Sequence, residues 1–187
     1  MADFYTEQVF AAPLTTVAER LLVKKLDFCA RGYSARWREG LVDRERQRMV
    51  CRFEADDLRA ARAAALCSGL DPDATWLSPV HRAAATASGN SEAAVGLVDV
   101  IAECRQDVPV DAASLMAEQH ACVWCLETCR VHRGPLVMSA DGRRVLALFR
   151  APDAEAVRMA YRHASLAFDR VVALRRIEHP APGSGGP

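Results

Sequence analysis

Lysine is nearly absent from this chain: of its 24 basic residues only Lys24 and Lys25 are lysines and the rest are arginines. With alanine so abundant, nucleotide composition explains that bias more simply than function does. The basic residues are matched by 24 acidic ones. A net charge of zero supplies no global field to draw in nucleic acid or an anionic membrane, so neither is expected as a partner. No stretch approaches the roughly 20 apolar residues a bilayer-spanning helix needs. The start, MADFYTEQVF, has no basic segment followed by an apolar one, so no secretory signal is read there and a cytoplasmic location is expected. The chain also lacks a glycine-rich phosphate loop, a serine nucleophile elbow, a His-Glu-x-x-His helix and a dinucleotide fingerprint. Basic and aromatic residues do not interleave as they do on an RNA-binding sheet. Aromatic residues make up only 6%, yet the apolar total of 51% is that of an ordinary globular protein. Seven cysteines are an odd number, and in a cytoplasm they read as reduced thiols.

What the chain does have is a repeat. Residues 3–79 and 99–175 align at a constant offset of 96 without a gap, with 13 identities in 77 positions. Composition alone would give roughly six. The matches include Glu7/Glu103, Pro13/Pro109, Cys29/Cys125, Arg48/Arg144, Phe53/Phe149 and Asp57/Asp153. The expected domains are therefore 1–80 and 97–179, joined by an Ala/Ser/Thr/Gly-rich linker at 81–96 and followed by a disordered tail at 180–187. Units this small bury little core alone, so they are expected to pack together.

Each repeat reads strand, helix, strand, strand, helix, strand. In the first, 3–10 is extended and Pro13 stops it. Thr16 with Glu19 forms a capping box for a helix that carries Val17, Leu21, Leu22, Leu26 and Phe28 toward one side. A hairpin pairs 35–42 with 47–54, Asp56 caps the second helix, Gly69 ends it, and 75–80 is the fourth strand. In the second repeat, 98–104 is a strand and Asp111 caps one helix running to about Arg130. Strands 136–139 and 143–150 flank the turn Ala140-Asp141-Gly142, Pro152 opens a helix, and 170–177 closes the unit. The predicted fold class is α+β: two tandem ferredoxin-like (βαββαβ) repeats packed as an intramolecular dimeric α+β barrel.

The run from Ser139 to Val171 contains Asp141-Gly142, Ala151-Pro152-Asp153 and Phe168-Asp169-Arg170-Val171, with Glu103 on the preceding first strand. It resembles a family of small ferredoxin-like domains known as nickel-binding or nickel-responsive. The first repeat is similar through Glu7, Cys51, Ala55-Asp56-Asp57 and Asp73. Where those domains carry a Val-His-Ser-Tyr-type segment on the second strand, this chain has Glu39 in one repeat and Pro135 in the other. Their third-strand cysteine stands here as Cys51 and is replaced by Ala147. The resemblance implies the fold and a metal- or ligand-binding role, without supplying the nickel ligands residue by residue.

Three groups of residues could carry chemistry. Cys122, Cys125 and Cys129 fall at i, i+3 and i+7, so one helical face would present three thiols, with His132 close behind. Such ligands suit a transition metal, nickel or zinc. The same stripe continues through Leu115 and Met116 and reads equally as core. Glu7 and Glu103 lie on the first strands, on the side of Tyr5 and Ile101. Facing a cavity between the two sheets they would serve as a base or hold a metal or an amine; at a rim they would be solvated acids. Arg48 and Arg144 open the third strands and could grip a carboxylate or phosphate, and Trp76 could line the same cavity. The leading expectation is a sensor or accessory protein that binds a small molecule or a nickel-type ion in that cavity, with a homo-oligomer as a possible state. The alternatives are a dimeric α+β barrel enzyme (isomerase, cyclase or cofactor-independent oxygenase) and a structural or interaction module.

Overall fold

The structure is a computed structural model describing residues 1–70, 74–77, 96–139 and 141–178. Apart from Gly96, the expected linker lies outside the described residues, as does the expected tail. The chain divides into two compact units, Met1–Thr75 with Arg176–Pro187, and Trp76–Arg175. Both mix helices with antiparallel strands.

The first unit runs β1 (Ala2–Val9), α1 (Thr16–Gly32), β2 (Ala35–Asp43), β3 (Arg48–Ala55) and α2 (Leu58–Cys67); β4 (Ala74–Leu77) then straddles the unit boundary. β3 lies between β1 and β2, antiparallel to both. Helix starts follow from side-chain oxygens that satisfy free N–H groups. The Thr15 hydroxyl accepts from the Ala18 N–H at 3.1 Å, and the Asp57 carboxylate accepts from the Ala60 N–H at 2.8 Å. Both caps sit one residue from the predicted Thr16 and Asp56.

The predicted inner face of α1 is corrected. Val17, Leu21 and Phe28 are 77%, 54% and 71% exposed, while Leu26, Cys29 and Ala30 are buried. At about 100° per residue the first three share one face and Leu26 lies opposite. The small Cys29 and Ala30, together with Ala61, Ala64 and Ala65 on the inner face of α2, allow the two helices to pack closely, so the small-residue side turns inward. A disulfide between Cys29 and Cys67 then ties α1 to α2, with their Cα atoms 5.8 Å apart. This corrects the reading of all seven cysteines as reduced thiols: that pairing depends on helix packing, which residue counting does not reveal.

The second unit runs β5 (Val98–Arg105), α3 (Ala112–Ala121), α4 (Val123–Thr128), β6 (His132–Met138), β7 (Arg144–Ala151) and α5 (Ala154–His163), and β8 (Arg170–Glu178) begins in it and crosses the unit boundary after Arg175. Its strands are ordered β8-β5-β7-β6. Val100, Ala102, Phe149, Leu126, Val157 and Tyr161 join sheet and helices in one core. Tyr161 meets Phe149 and Phe168 edge to face, with centroids 5.8 and 5.9 Å away. The single helix expected from Asp111 to Arg130 is broken at Cys122, where the run Cys-Val-Trp-Cys gathers weak helix formers.

Adding 96 to a residue number carries much of one unit onto the other. The ladder from Ala2↔Ala55 to Val9↔Arg48 becomes Val98↔Ala151 to Arg105↔Arg144, and the burial profiles of β1 and β5 are identical. The caps Thr15 and Asp57 become Asp111 and Asp153, each bonding the N–H three residues on. The left-handed residues Ser34, Arg46 and Gly69 become Arg130, Gly142 and Ser165. At Gly142 a Cβ would meet the Val110 backbone oxygen at 2.9 Å, so the turn needs glycine for space as well as for its φ of +68°.

Candidate functional site

The antiparallel register brings together residues the sequence analysis treated separately. Glu7 lies opposite Val50, and Arg48 opposite Val9, so Glu7 and Arg48 are diagonal neighbours on one face of the sheet. Glu103 and Arg144 hold the same relation through Leu146 and Arg105. Each diagonal is an ion pair, Arg48 Nη2 to Glu7 Oε1 and Arg144 Nη2 to Glu103 Oε1, the latter at 2.6 Å. Val100 and Ala102 belong to the helix-backed core, so strand alternation puts Ile101 and Glu103 on the opposite face. Ile101, Glu103 and Leu146 are buried on that opposite face.

Local structure fixes both guanidinium-bearing residues at the hairpins. The Arg48 N–H donates to the buried Asp43 carboxylate at 3.1 Å, and the Arg144 N–H donates to the Ser139 hydroxyl at 2.9 Å. Ser139 in turn donates to Asp141 at 2.5 Å. That bond, reinforced by the Arg143 N–H, holds the Asp141 carboxyl below the usual carboxylate range.

The two pairs differ in access. The Glu7 and Arg48 side chains are 5% and 8% exposed, whereas Glu103 is 8% and Arg144 28% exposed. One pair is sealed, and the other offers part of a guanidinium to solvent. A buried ion pair is costly relative to apolar packing, so two at equivalent positions call for an explanation beyond stability. Chemically, the open pair joins a proton acceptor to a planar cation able to hold a carboxylate or an oxyanion.

The same face of the first unit carries a network the sequence analysis missed. Arg52 binds Asp3 through two bonds of 2.9 Å and reaches Glu39 at 3.5 Å, while Arg176 meets Glu39 at 2.9 Å. Period-two alternation of charge along β1 and β3 was the available signal.

The thiol site is corrected. Cys125 lies in α4, Cys122 and Cys129 sit at its two ends, and His132 is exposed at the start of β6. Among the described residues no three His, Cys, Asp or Glu side chains gather where they could hold a metal. All three thiols belong to or flank the one short helix α4, and among the described residues no donor from another segment completes a metal-holding group with them. Desolvation, with the neighbouring Cys125 adding to it, raises the Cys122 and Cys129 thiols. Cys51 is fully buried and its thiol is pushed up to about 12, against a smaller opposing effect of its hydrogen bond with Trp37. It is a packed, unreactive group. The side chain of Trp76 lies outside the described residues.

No family model matches the chain, and no curated protein matches it. Solved structures do. A protein described as a chlorite dismutase, TA0507, superposes with a TM-score of 0.57 at 8% identity, over 95% of this chain and 94% of its own. A haem-binding protein from Thermus thermophilus gives 0.51 at 9% identity, over 95% and 90%. A protein described as a monooxygenase from Lactobacillus acidophilus NCFM gives 0.44 at 9% identity, over 94% of each chain, too low to carry an argument. The structural neighbours are dimeric α+β barrel proteins, and at these identities the likeness shows the fold alone. The expected nickel-type function is overturned. The two neighbours that superpose well are described as a chlorite dismutase and a haem-binding protein, neither description names nickel, and among the described residues no thiols gather where they could hold a metal. Among the described residues no helix is long and apolar enough to cross a membrane.

Proposed function

We propose that the chain is two tandem ferredoxin-like repeats forming the dimeric α+β barrel within one polypeptide, and that it is an enzyme of proton-transfer type. The reaction class is isomerisation, cyclisation or cofactor-independent oxygenation of a small oxygen-bearing organic molecule, the last with molecular oxygen as the oxidant that the deprotonated substrate reduces. The observation that carries this reading is the Glu103–Arg144 pair, its carboxylate buried beside Ile101 and Leu146 and its guanidinium partly exposed. Glu103 accepts a proton from an acidic C–H or phenolic O–H of the substrate. Arg144 holds the substrate oxygen on which the negative charge then rests. In an isomerisation the same carboxyl returns the proton to a second carbon, and the site is restored. The sealed Glu7–Arg48 pair is the scaffold counterpart.

Haem, which one structural neighbour binds, requires an axial side chain in an apolar pocket. Among the described residues His132 and His163 are exposed, and the buried Cys51 thiol is held protonated. None of these three side chains suits the role of an axial haem ligand.

Solvent-deuterium exchange into a panel of cyclic ketones and phenols tests the reading. Wild-type protein and Glu7→Gln are expected to catalyse exchange into at least one member, and Glu103→Gln is not. No exchange with any member, or equal exchange by Glu103→Gln, overturns it.

A further inference from the structure

The outer face of α1 and α2 combines two properties that rarely coincide on a solvated surface. Val17, Leu21 and Phe28 on α1 and Leu66 on α2 are all more than half exposed. Around them stand Arg20, Lys24, Lys25, Arg59 and Arg62, exposed and forming no ion pair among the described residues. Both lysines of the chain are in this set. Carboxylates nearby are occupied: Asp27 pairs with Arg31 at 2.7 Å, and Asp57 caps α2. In a chain of zero net charge this is a segregated basic and apolar face. Two open grooves indent it, one of about 620 Å³ against Arg62 and Leu66 and one of about 780 Å³ against Phe28 and Tyr33. The Cys29–Cys67 disulfide locks the two helices together, so the face is organised before anything binds.

From this we infer that the α1/α2 face is a docking surface for an acidic, amphipathic segment of a partner protein. Its apolar side chains enter the grooves, and its carboxylates meet the unpaired cations. Charge complementarity selects this occupant. A second copy of the chain packing by two-fold symmetry would set the cations against themselves. A nucleic acid would leave the exposed Val17, Leu21 and Phe28 unmatched. A membrane surface is the rival occupant of a basic and apolar face, and a vesicle titration separates it from the peptide.

The test titrates the full-length oxidised protein against a labelled helix-forming peptide with Leu and Phe at i, i+4 and i+7 and Glu at flanking positions. Fluorescence anisotropy reports binding. A matched peptide with Gln for Glu, phosphatidylserine/phosphatidylcholine vesicles and sedimentation of the protein alone complete the set. The Glu peptide is expected to bind, to bind less well as salt rises, and to bind more tightly than the Gln peptide. Binding should weaken about tenfold or more in the Lys24→Glu/Lys25→Glu/Arg62→Glu variant and in Phe28→Ser, with circular dichroism unchanged in both. Absence of peptide binding, equal binding by the charge-reversed variant, vesicle binding without peptide binding, or self-association abolished by Phe28→Ser each overturns the inference.

Discussion

Reducing the Cys29–Cys67 disulfide should lower stability by an amount that follows from chain topology. The two residues are 38 apart in sequence, and closing a loop of that length removes about 4 kcal/mol of conformational freedom from the unfolded chain. Native-state losses are small by comparison. Cys29 is buried and, once reduced, remains as a compact apolar side chain, while Cys67 is exposed and leaves no cavity. The expected loss is therefore about 2–4 kcal/mol, an unfolding midpoint lower by about 10 °C for a chain of this size. Urea titration and calorimetry of the oxidised protein, the protein under reductant, and Cys67→Ser provide the comparison. The reduced protein and the variant should agree with each other and fall below the oxidised form. A midpoint unchanged by reductant would refute the reasoning, because it would mean that α1 and α2 are not cross-linked in the folded protein.

Other consequences are equally direct. Arg48→Met strands a sealed carboxylate and should cost about 3–5 kcal/mol by urea titration; Arg144→Met, whose site is partly hydrated, should cost about 1–2 kcal/mol. Equal losses would contradict the difference in access. Cys51 should resist a disulfide reagent in the native state while Cys122 and Cys129 react. The folded-state value of Cys51, pushed up to about 12, lies above that of the unfolded thiol. Its contribution is therefore complete below the unfolded value near 9 and is lost as pH rises toward 12, and in Cys51→Ala the alkaline fall in stability should flatten. Asp111 and Asp141 are held low, chiefly by hydrogen bonds from Ser114 and Ser139. Their contributions are present above the unfolded carboxylate value and decline as pH falls through the lower folded one. Asp111→Asn and Asp141→Asn should each shallow the acid limb of a stability profile.

The offset of 96 was the most legible property of the chain, because turns and caps need particular residues. Pro13 and Pro109 lie in the strand-to-helix loops, Asp57 and Asp153 cap helices, and Gly142 marks its hairpin. The equivalent turn residue in the first unit, Arg46, has a φ of +58° and carries no such signature. The four charged residues of the two ion pairs were visible as candidates, but their pairing was not. It depends on strand register, which sets Glu7 beside Arg48 although α1 and β2 separate them along the chain. The outward side of α1 is not legible in the sequence for a related reason. Its leucines and phenylalanine make a good apolar stripe, yet close approach to α2 selects the small residues Cys29 and Ala30 instead. The spacing of Cys122, Cys125 and Cys129 does fall along α4, but spacing within one helix says nothing of whether another segment supplies further ligands, and among the described residues none does.

The central claim is that Glu103–Arg144 is the working pair and Glu7–Arg48 its sealed counterpart. The most direct measurement follows the guanidinium Nε–H resonances of Arg48 and Arg144 by NMR while phenols and aromatic carboxylates are titrated into the protein. The Arg144 resonance is expected to shift saturably with at least one compound while that of Arg48 stays in place. A panel that moves neither resonance, or that moves both alike, would contradict the account.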